Sequence, residues 1–399
     1  MASTGTALPA RAVAASRVSP WLVLGVVFYA SVVAVMAQFA APPLMPVLMD
    51  AFRIDIAQAS SLMSVFAITG LILALPAGLV LGRFGPLVTG LVALGSVIVG
   101  SVVAAAAPDY GVLLIGRGIQ GLGMGLIGVT APAVVAAAFP PERRGTPMGI
   151  WAMWVPVGSL LMYLIGPSLA KAAGWPSVWW LTAGLGVIGA VAWAAVLRGV
   201  PGGGSAQRAL ADLREGLAGR AIWLLVLVFA LFATANGAAN TFIAVFLTNE
   251  RGFDVAGAAA ISSLAMAGMA VGSVASGLLG DRIGSRRRIF TAALLISAPM
   301  LVLPYIVTGA LLAVALFAFG VFVGAIPAAI FASVPEAVPH PRLAGAGMAG
   351  IMLGQNAGFV VGPMAFAQLQ PILGWAPTAA LTGVLVLVAA IVGWRVRVR

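Results

Sequence analysis

Residues 277–288 read GLLGDRIGSRRR. An adjacent acid and base, Asp281 and Arg282, and three consecutive arginines, Arg286, Arg287 and Arg288, interrupt long apolar runs on either side. The stretch has the composition of a sharp turn between two helices. Gly277 is expected to let a helix end pack closely, and Gly284 to take the φ > 0 conformation that such a reversal needs. A fainter copy, GLVLGRFGPL, begins at Gly78. Gly78, Arg83 and Gly85 match Gly277, Arg282 and Gly284 at a constant separation of 199 in a chain of 399 residues. The same offset pairs Asp55 with Asp254, Gly121 and Gly125 with Gly320 and Gly324, Pro140 with Pro339, and Arg143 with Arg342. Gly174-Trp175 and Gly374-Trp375 agree at 200. An ordered ladder of this kind indicates two copies of one half, an arrangement found in membrane transporters.

The composition places the chain in a bilayer. It is 62% apolar and 8% charged, with a mean hydropathy of +1.12, whereas soluble domains carry about 25% charged residues. Apolar runs of about 20 residues are long enough to cross the hydrocarbon as helices, and lipid forces such segments to satisfy their backbone internally. The net charge of +11 lies in alternate loops without aromatic interleaving, so it reads as membrane topology and not as a nucleic-acid surface. The absence of cysteine excludes disulfides and thiolate sites.

Twelve spans fit, at roughly 21–49, 57–80, 87–107, 111–137, 146–170, 176–197, 221–248, 256–279, 289–308, 310–335, 343–370 and 375–394. The expected fold class is an all-α membrane protein of twelve transmembrane helices in two pseudo-symmetric six-helix bundles. Residues 1–20 form an N-terminal tail, 21–198 the first bundle, 199–220 a linker, 221–394 the second bundle and 395–399 a basic tail. With both termini cytoplasmic, seventeen of the 21 basic residues fall in inner segments, as the positive-inside rule requires. The linker joins a flexible Gly202–Ser205 stretch to an amphipathic ALADLREGLAG segment suited to the membrane surface. Pro42, Pro43 and Pro46 are expected to break the first span near its outer end. Asp55 and Gln58 have capping-box spacing ahead of the second, and Trp175, Trp179 and Trp180 read as interfacial belt residues.

On these motifs the chain resembles the major facilitator superfamily of secondary transporters over essentially its whole length. The family pattern of Gly, three residues, Asp-Arg, one residue, Gly and a basic run is matched by Gly277, Asp281, Arg282, Gly284 and Arg286. Between spans 2 and 3 it is eroded, with Gly82 in place of the acid and Pro86 and Leu87 in place of arginines, which removes the acid that makes an inward gate latch in the family. Arg117, Gln120 and Gly121 match a second family motif in span 4, while the helix-5 antiporter signature is only partly present, with Pro156, Gly158 and Gly166-Pro167. WVPVG in span 5 and GQNAG in span 11 look somewhat like the cyanate-permease-like branch. The resemblance implies alternating access around a central cavity lined by spans 1, 4, 7 and 10.

Charge at bilayer depth costs about 2.5–3.5 kcal/mol on insertion scales and defaults to a functional hypothesis; Arg117 is the one residue of the kind. Its permanent charge and forked donors suit a small anion, and its alternative role is packing between helices. Gln38 in span 1, Asn236 and Asn240 in span 7, and Gln355 and Asn356 in span 11 are further substrate-contact candidates. Asn236 and Asn240 share a helix face by their spacing. Trp151 and Trp154, three apart in span 5, form a candidate aromatic gate. Gly277, Asp281, Arg282, Gly284 and Arg286, with Gly78, Arg83 and Gly85, form the candidate gating motif.

With every acid in a loop or at a helix end, no carboxylate is available at depth to couple protons to substrate. The function expected is secondary or facilitated transport of a small organic or inorganic anion. A proton-coupled multidrug exporter is the alternative, and a non-transporting sensor a lesser one. No enzyme chemistry is expected: His340 is the one histidine, and no nucleophile elbow or phosphate loop is present. Neither cofactor nor metal is called for, and the partners expected are the lipid bilayer of the inner cell membrane and a small-molecule substrate, handled by a monomer. Because the chain lacks cysteine, Arg143→Cys and Arg286→Cys are clean labelling sites. Both should resist a membrane-impermeant maleimide in intact cells that labels Lys171→Cys; labelling on opposite faces would undo the repeat.

Overall fold

The computed structural model describes residues 18–140, 143, 145–198, 206–340, 343–396 and 398. Most of the N-terminal tail, Gly202–Ser205, Arg342, two residues of the basic C-terminal tail and the side chain of Asp281 lie outside the described residues. The described residues form helices joined by short turns. In the first half α1 is Pro20–Phe52, α4 Tyr110–Ala138, α5 Thr146–Ala173 and α6 Pro176–Leu197. Between them, helix Ile56–Leu73 is followed after two residues by Pro76–Ala105. At Gly85 the latter leaves helical geometry (φ 75°, ψ 173°), so 56–84 is α2 and 86–105 is α3. In the second half α7 is Arg220–Arg251, α8 Val255–Ile283, α10 Ala310–Ala337, α11 Ala344–Leu373 and α12 Trp375–Trp394; α9 is Arg286–Ile306.

Among the described residues, eleven helical segments are long and apolar enough to cross a membrane. The remaining one, α11, has thirty residues, and its hydropathy is diluted by six glycines together with Gln355 and Asn356.

The two halves repeat each other in local chemistry. α1 ends on Arg53 at φ 52°, and α7 on Gly252 at φ 70°. Two residues on, Asp55 accepts a hydrogen bond from the Gln58 amide at 2.7 Å while Gln58 Oε1 accepts from the Asp55 amide, completing the capping box. Asp254 caps α8 by accepting from the Gly257 amide at 3.0 Å. Gly85 and Gly284 both have positive φ, as do Gly174 and Gly374. Deep in the bundles the correspondence becomes geometric. A Cβ on Gly121 would lie 2.1 Å from Phe66 O, and one on Gly320 2.0 Å from Ala265 O, and both the glycines and the carbonyls they face are offset by 199. These seams put α4 against α2 and α10 against α8 with backbones in contact.

Three sequence expectations need correction. The offset at the turn after α4 is 200 and not 199: Arg143 N donates to Pro140 O, and Leu343 N to His340 O, so Pro140 and Arg143 pair with His340 and Leu343. Gly78 and Gly277 do not serve close packing, since a Cβ on either meets nothing within 4 Å. Trp179 is no belt residue; it is fully buried beside Trp175, and Trp180 is the exposed one.

The halves meet most closely away from the basic turns. Tyr163 OH in α5 donates to Asn240 O in α7 at 2.9 Å, and Ser64 Oγ in α2 to Val360 O in α11 at 3.0 Å. The C-terminal part of α1, from Ala40 through Leu48, carries fully buried alanines, leucines and Met45. On the basic face, Arg286 Nη1 donates to Ala332 O and lies 3.8 Å from Glu336 Oε1, holding the start of α9 to the end of α10. Arg287 donates to Val396 O at 3.3 Å and stacks over Trp394, while Arg83 stacks over Phe84. The linker helix Ala206–Gly216 docks where a Cβ on Gly216 would lie 2.6 Å from Ala346 Cβ.

The glycine seams set a stability test. A Cβ at Gly272 would lie 1.8 Å from Val321 O, so Gly272→Ala should force α8 and α10 apart at a cost of about 1–3 kcal/mol. Gly277→Ala, in open space one and a half turns along the same helix, should match or slightly exceed the wild type. Thermal unfolding of the detergent-purified protein distinguishes the two.

Candidate functional site

The site is built on the break in α1. Its first segment ends at Gln38, a short 3₁₀ turn covers Pro42–Leu44, and helix resumes at Met45–Phe52. A continuous helix would pair Gln38 O with the amide of residue 42, but Pro42 has none. Unpaired carbonyls at this depth cost about 1–3 kcal/mol each, and the acceptors are met from α4. Arg117 Nη1 donates to Ala37 O at 2.5 Å and to Gln120 Oε1 at 2.8 Å. Its Nη2 donates to Gln38 O at 2.9 Å and reaches Met63 Sδ at 3.7 Å, and its Nε donates to Leu62 O at 3.0 Å. The guanidinium also lies 4.6 Å from the centre of the Phe66 ring. All five donors of the fork are thereby engaged, and the side chain is fully buried. Gln120 passes the network on by donating to Ser101 Oγ at 2.8 Å, where Thr182 also donates.

Beside the break lies a cavity between the two halves. Gln38, Asn236, Asn240 and Gln355 line it among phenylalanines 39, 229, 232, 331 and 359. Asn240 Nδ2 donates to both Asn236 O and Asn236 Oδ1 at 2.9 Å, which fixes the pair on one face of α7. The lining residues carry no ionisable side chain. A smaller lobe adjoins this space, sharing Gln38, Gln355 and Phe359 with it and extending to Asn356 and Trp154. α4 contributes to the lobe but not to the main cavity.

Four of the five amides singled out from sequence thus converge on one space, and Asn356 lies in its lobe. Arg117 stands apart from both. Trp151 and Trp154 are buried and stacked, with ring centres 5.2 Å apart and planes at 19°. Trp151 donates to Ser31 Oγ at 3.1 Å. The gating-motif residues lie at the basic turns, away from the cavity lining. Sequence reasoning missed the phenylalanine wall. Its signal was present in α7, since Phe229 and Phe232 fall on the face of Asn236 and Asn240 at helical spacing.

The comparisons follow the same outline. A family model described as Major Facilitator Superfamily matches residues 27–298 and 225–399. The multidrug transporter mfsC of Aspergillus fumigatus is 34% identical over 118 residues, 29% of this chain and 23% of its own length. The 4-hydroxybenzoate transporter PcaK of Pseudomonas aeruginosa is 32% identical over 173 residues, 43% of this chain and 38% of its own. The chain therefore spans well under half the length of these curated relatives. The crystal structure of a bacterial homolog to the human lysosomal transporter Spinster, inward-facing and unoccupied, superposes with a TM-score of 0.75 at 17% identity, covering 95% of this chain and 97% of that one. That likeness is one of fold. The comparisons support the superfamily and not the finer cyanate-permease-like branch.

The arginine network carries its own test. Arg117→Ala leaves Ala37 O, Gln38 O and Leu62 O without their donor in a buried site, so the variant should lose about 3–5 kcal/mol of stability and accumulate poorly. Arg117→Lys retains the charge but cannot span the acceptors and should recover only part of the loss in thermal unfolding.

Proposed function

The chain belongs to the major facilitator superfamily, and within it we propose a transporter of small, mainly apolar organic compounds that carry a hydrogen-bonding group. It is a multi-pass membrane transporter by family. The proposed cycle rocks the halves 21–198 and 221–394 about the shared cavity, with the basic face in the cytoplasm. The observation that carries the substrate class is the cavity lining, five phenylalanines and four amides without a charge.

The expected small anion finds little support in that lining. An anion drawn from water into this space would lose hydration with no cation to compensate, and Arg117 has its donors engaged by carbonyls. Apolar and aromatic walls with a few oriented polar groups suit an organic ligand instead. The multidrug transporter among the relatives is consistent with that class. A second reading, an aromatic carboxylate, is favoured by the 4-hydroxybenzoate transporter, with amide donors in place of a cation.

Coupling follows from the same residues. No lining side chain titrates between pH 5 and 9, so the cavity itself offers no proton to exchange for substrate. Uniport or exchange is the proposed mode.

Methyl 4-hydroxybenzoate and 4-hydroxybenzoate, which differ in charge, separate the readings. The neutral ester should stabilise the purified protein against heat more than the anion does, with an affinity flat from pH 5.5 to 7.5. Asn236→Ala should weaken it about tenfold, the worth of one buried hydrogen bond. A stronger response to the anion would favour the carboxylate, and no response to a broad panel of aromatic compounds would overturn the cavity assignment.

A further inference from the structure

The two stacked tryptophans of α5 differ in one respect. Trp151 has its indole N–H satisfied by Ser31 Oγ. Trp154 does not: its Nε1 is buried and no group in the protein accepts from it. The ring is 3% exposed and pinned by the stack on Trp151, so it cannot swing to find an acceptor without losing that contact. A buried donor left unpaired is uncommon and calls for an explanation.

The surroundings supply one. The indole belongs to the lining of the lobe that opens from the main cavity past Gln38 and Gln355. Glycines 70, 125 and 128 form part of the lobe wall; a Cβ on Gly128 would find only Met352 Sδ, at 3.8 Å, whereas one on Gly70 would press on Asn356 and one on Gly125 on Leu73. Asn356 is fixed at the edge, donating to Met352 O at 2.9 Å while its Oδ1 crowds Gly70. The lobe is largely apolar, and the Trp154 N–H is a fully buried donor in its lining without a partner in the protein.

We propose that this lobe is the subsite for a carbonyl group of the transported compound, and that Trp154 Nε1 is the donor that selects for it. A ligand lying in the main cavity against the phenylalanines would extend the carbonyl past Gln355 into the lobe. The indole N–H, having no protein acceptor to give up, gains a hydrogen bond on binding. Compounds of the same shape without an acceptor leave that donor unpaired and bind less well. The inference rests on the reading of the cavity as the ligand site and adds the chemical group that the site prefers.

Benzophenone and diphenylmethane differ in the carbonyl alone and serve as probes in thermal-shift titrations of the purified protein. The wild type should bind benzophenone about tenfold more tightly than diphenylmethane. Trp154→Phe keeps an aromatic ring on Trp151 but removes the N–H. It should abolish that preference, leave diphenylmethane affinity unchanged, and unfold at the same temperature as the wild type or higher, because an unpaired buried donor has gone. A purely structural role for Trp154 predicts a lower unfolding temperature and an unchanged preference. Gly128→Ala puts a methyl group into the lobe without touching the tryptophan and should weaken benzophenone at least threefold; it decides the matter if Trp154→Phe does not fold. An unaltered preference in Trp154→Phe, or unaltered benzophenone affinity in Gly128→Ala, overturns the subsite alone. If neither compound shifts the wild type, the cavity reading is overturned and the subsite with it.

Discussion

The guanidinium of Arg117 bound to the broken end of α1 is the interaction on which the rest of this structure depends. Prolines 42, 43 and 46 remove amide donors in a region where water cannot replace them. An arginine buried at that depth is costly by itself, and carbonyls left by a broken helix are costly by themselves. Placed together they satisfy each other. The fork reaches Ala37 O, Gln38 O and Leu62 O at once, so one side chain joins α4 to α1 and α2 and fixes the angle at which α1 resumes. The same bonds hold the end of the first segment, where the Gln38 side chain and Phe39 line the cavity. An arginine that looks from its depth like a ligand for an anion is better understood as the brace that gives the cavity its wall.

The brace belongs to the first half, whereas the glycine seams are common to both. Within each half, glycines bring backbones into contact, Gly121 on Phe66 and Gly320 on Ala265, with little side chain between them to deform. Between the halves the described side chains make polar links through Tyr163 to Asn240 and Ser64 to Val360, and Asn356 sits against Gly70. Stiff bodies joined by such links favour rocking over internal rearrangement. Gly78 and Gly277, with open space where a Cβ would sit, lie at repeat-related positions near the basic turns. Their freedom from contact is a property of this conformation.

Features governed by local chemistry were legible in the sequence. Caps at Asp55 and Asp254, reversals at Gly85, Gly284, Gly174 and Gly374, and the break at Pro42 and Pro43 each follow from what a few neighbouring residues can and cannot do. The 199-residue ladder followed for the same reason, and it slipped by one at the turn after α4, where proline matching misled. Contacts between distant helices were not legible. Arg117 was recognisable by depth, but its acceptors lie 55, 79 and 80 residues away, and no pattern along α4 points to them. Trp179 and Trp180 illustrate the same limit. α6 is apolar on every side, so nothing in its periodicity says which of two adjacent tryptophans turns inward. In α7 the amides interrupt an apolar helix, and there the inward face could be read from i, i+4 spacing alone.

An uncharged cavity constrains how such a machine can select its cargo. Aromatic walls bind by area and shape, and discriminate weakly between compounds that differ by a methylene group or a hydroxyl. Strong discrimination requires a protein group that is left unpaired by the wrong ligand. Asn236 and Asn240 bond to each other, which partly satisfies them in the empty cavity and blunts their power to reject. Trp154 has no such internal partner. Among the polar groups around the cavity and its lobe, a fully buried donor with no partner of its own is therefore well placed to make a compound's chemistry, and not only its size, decide whether it is carried.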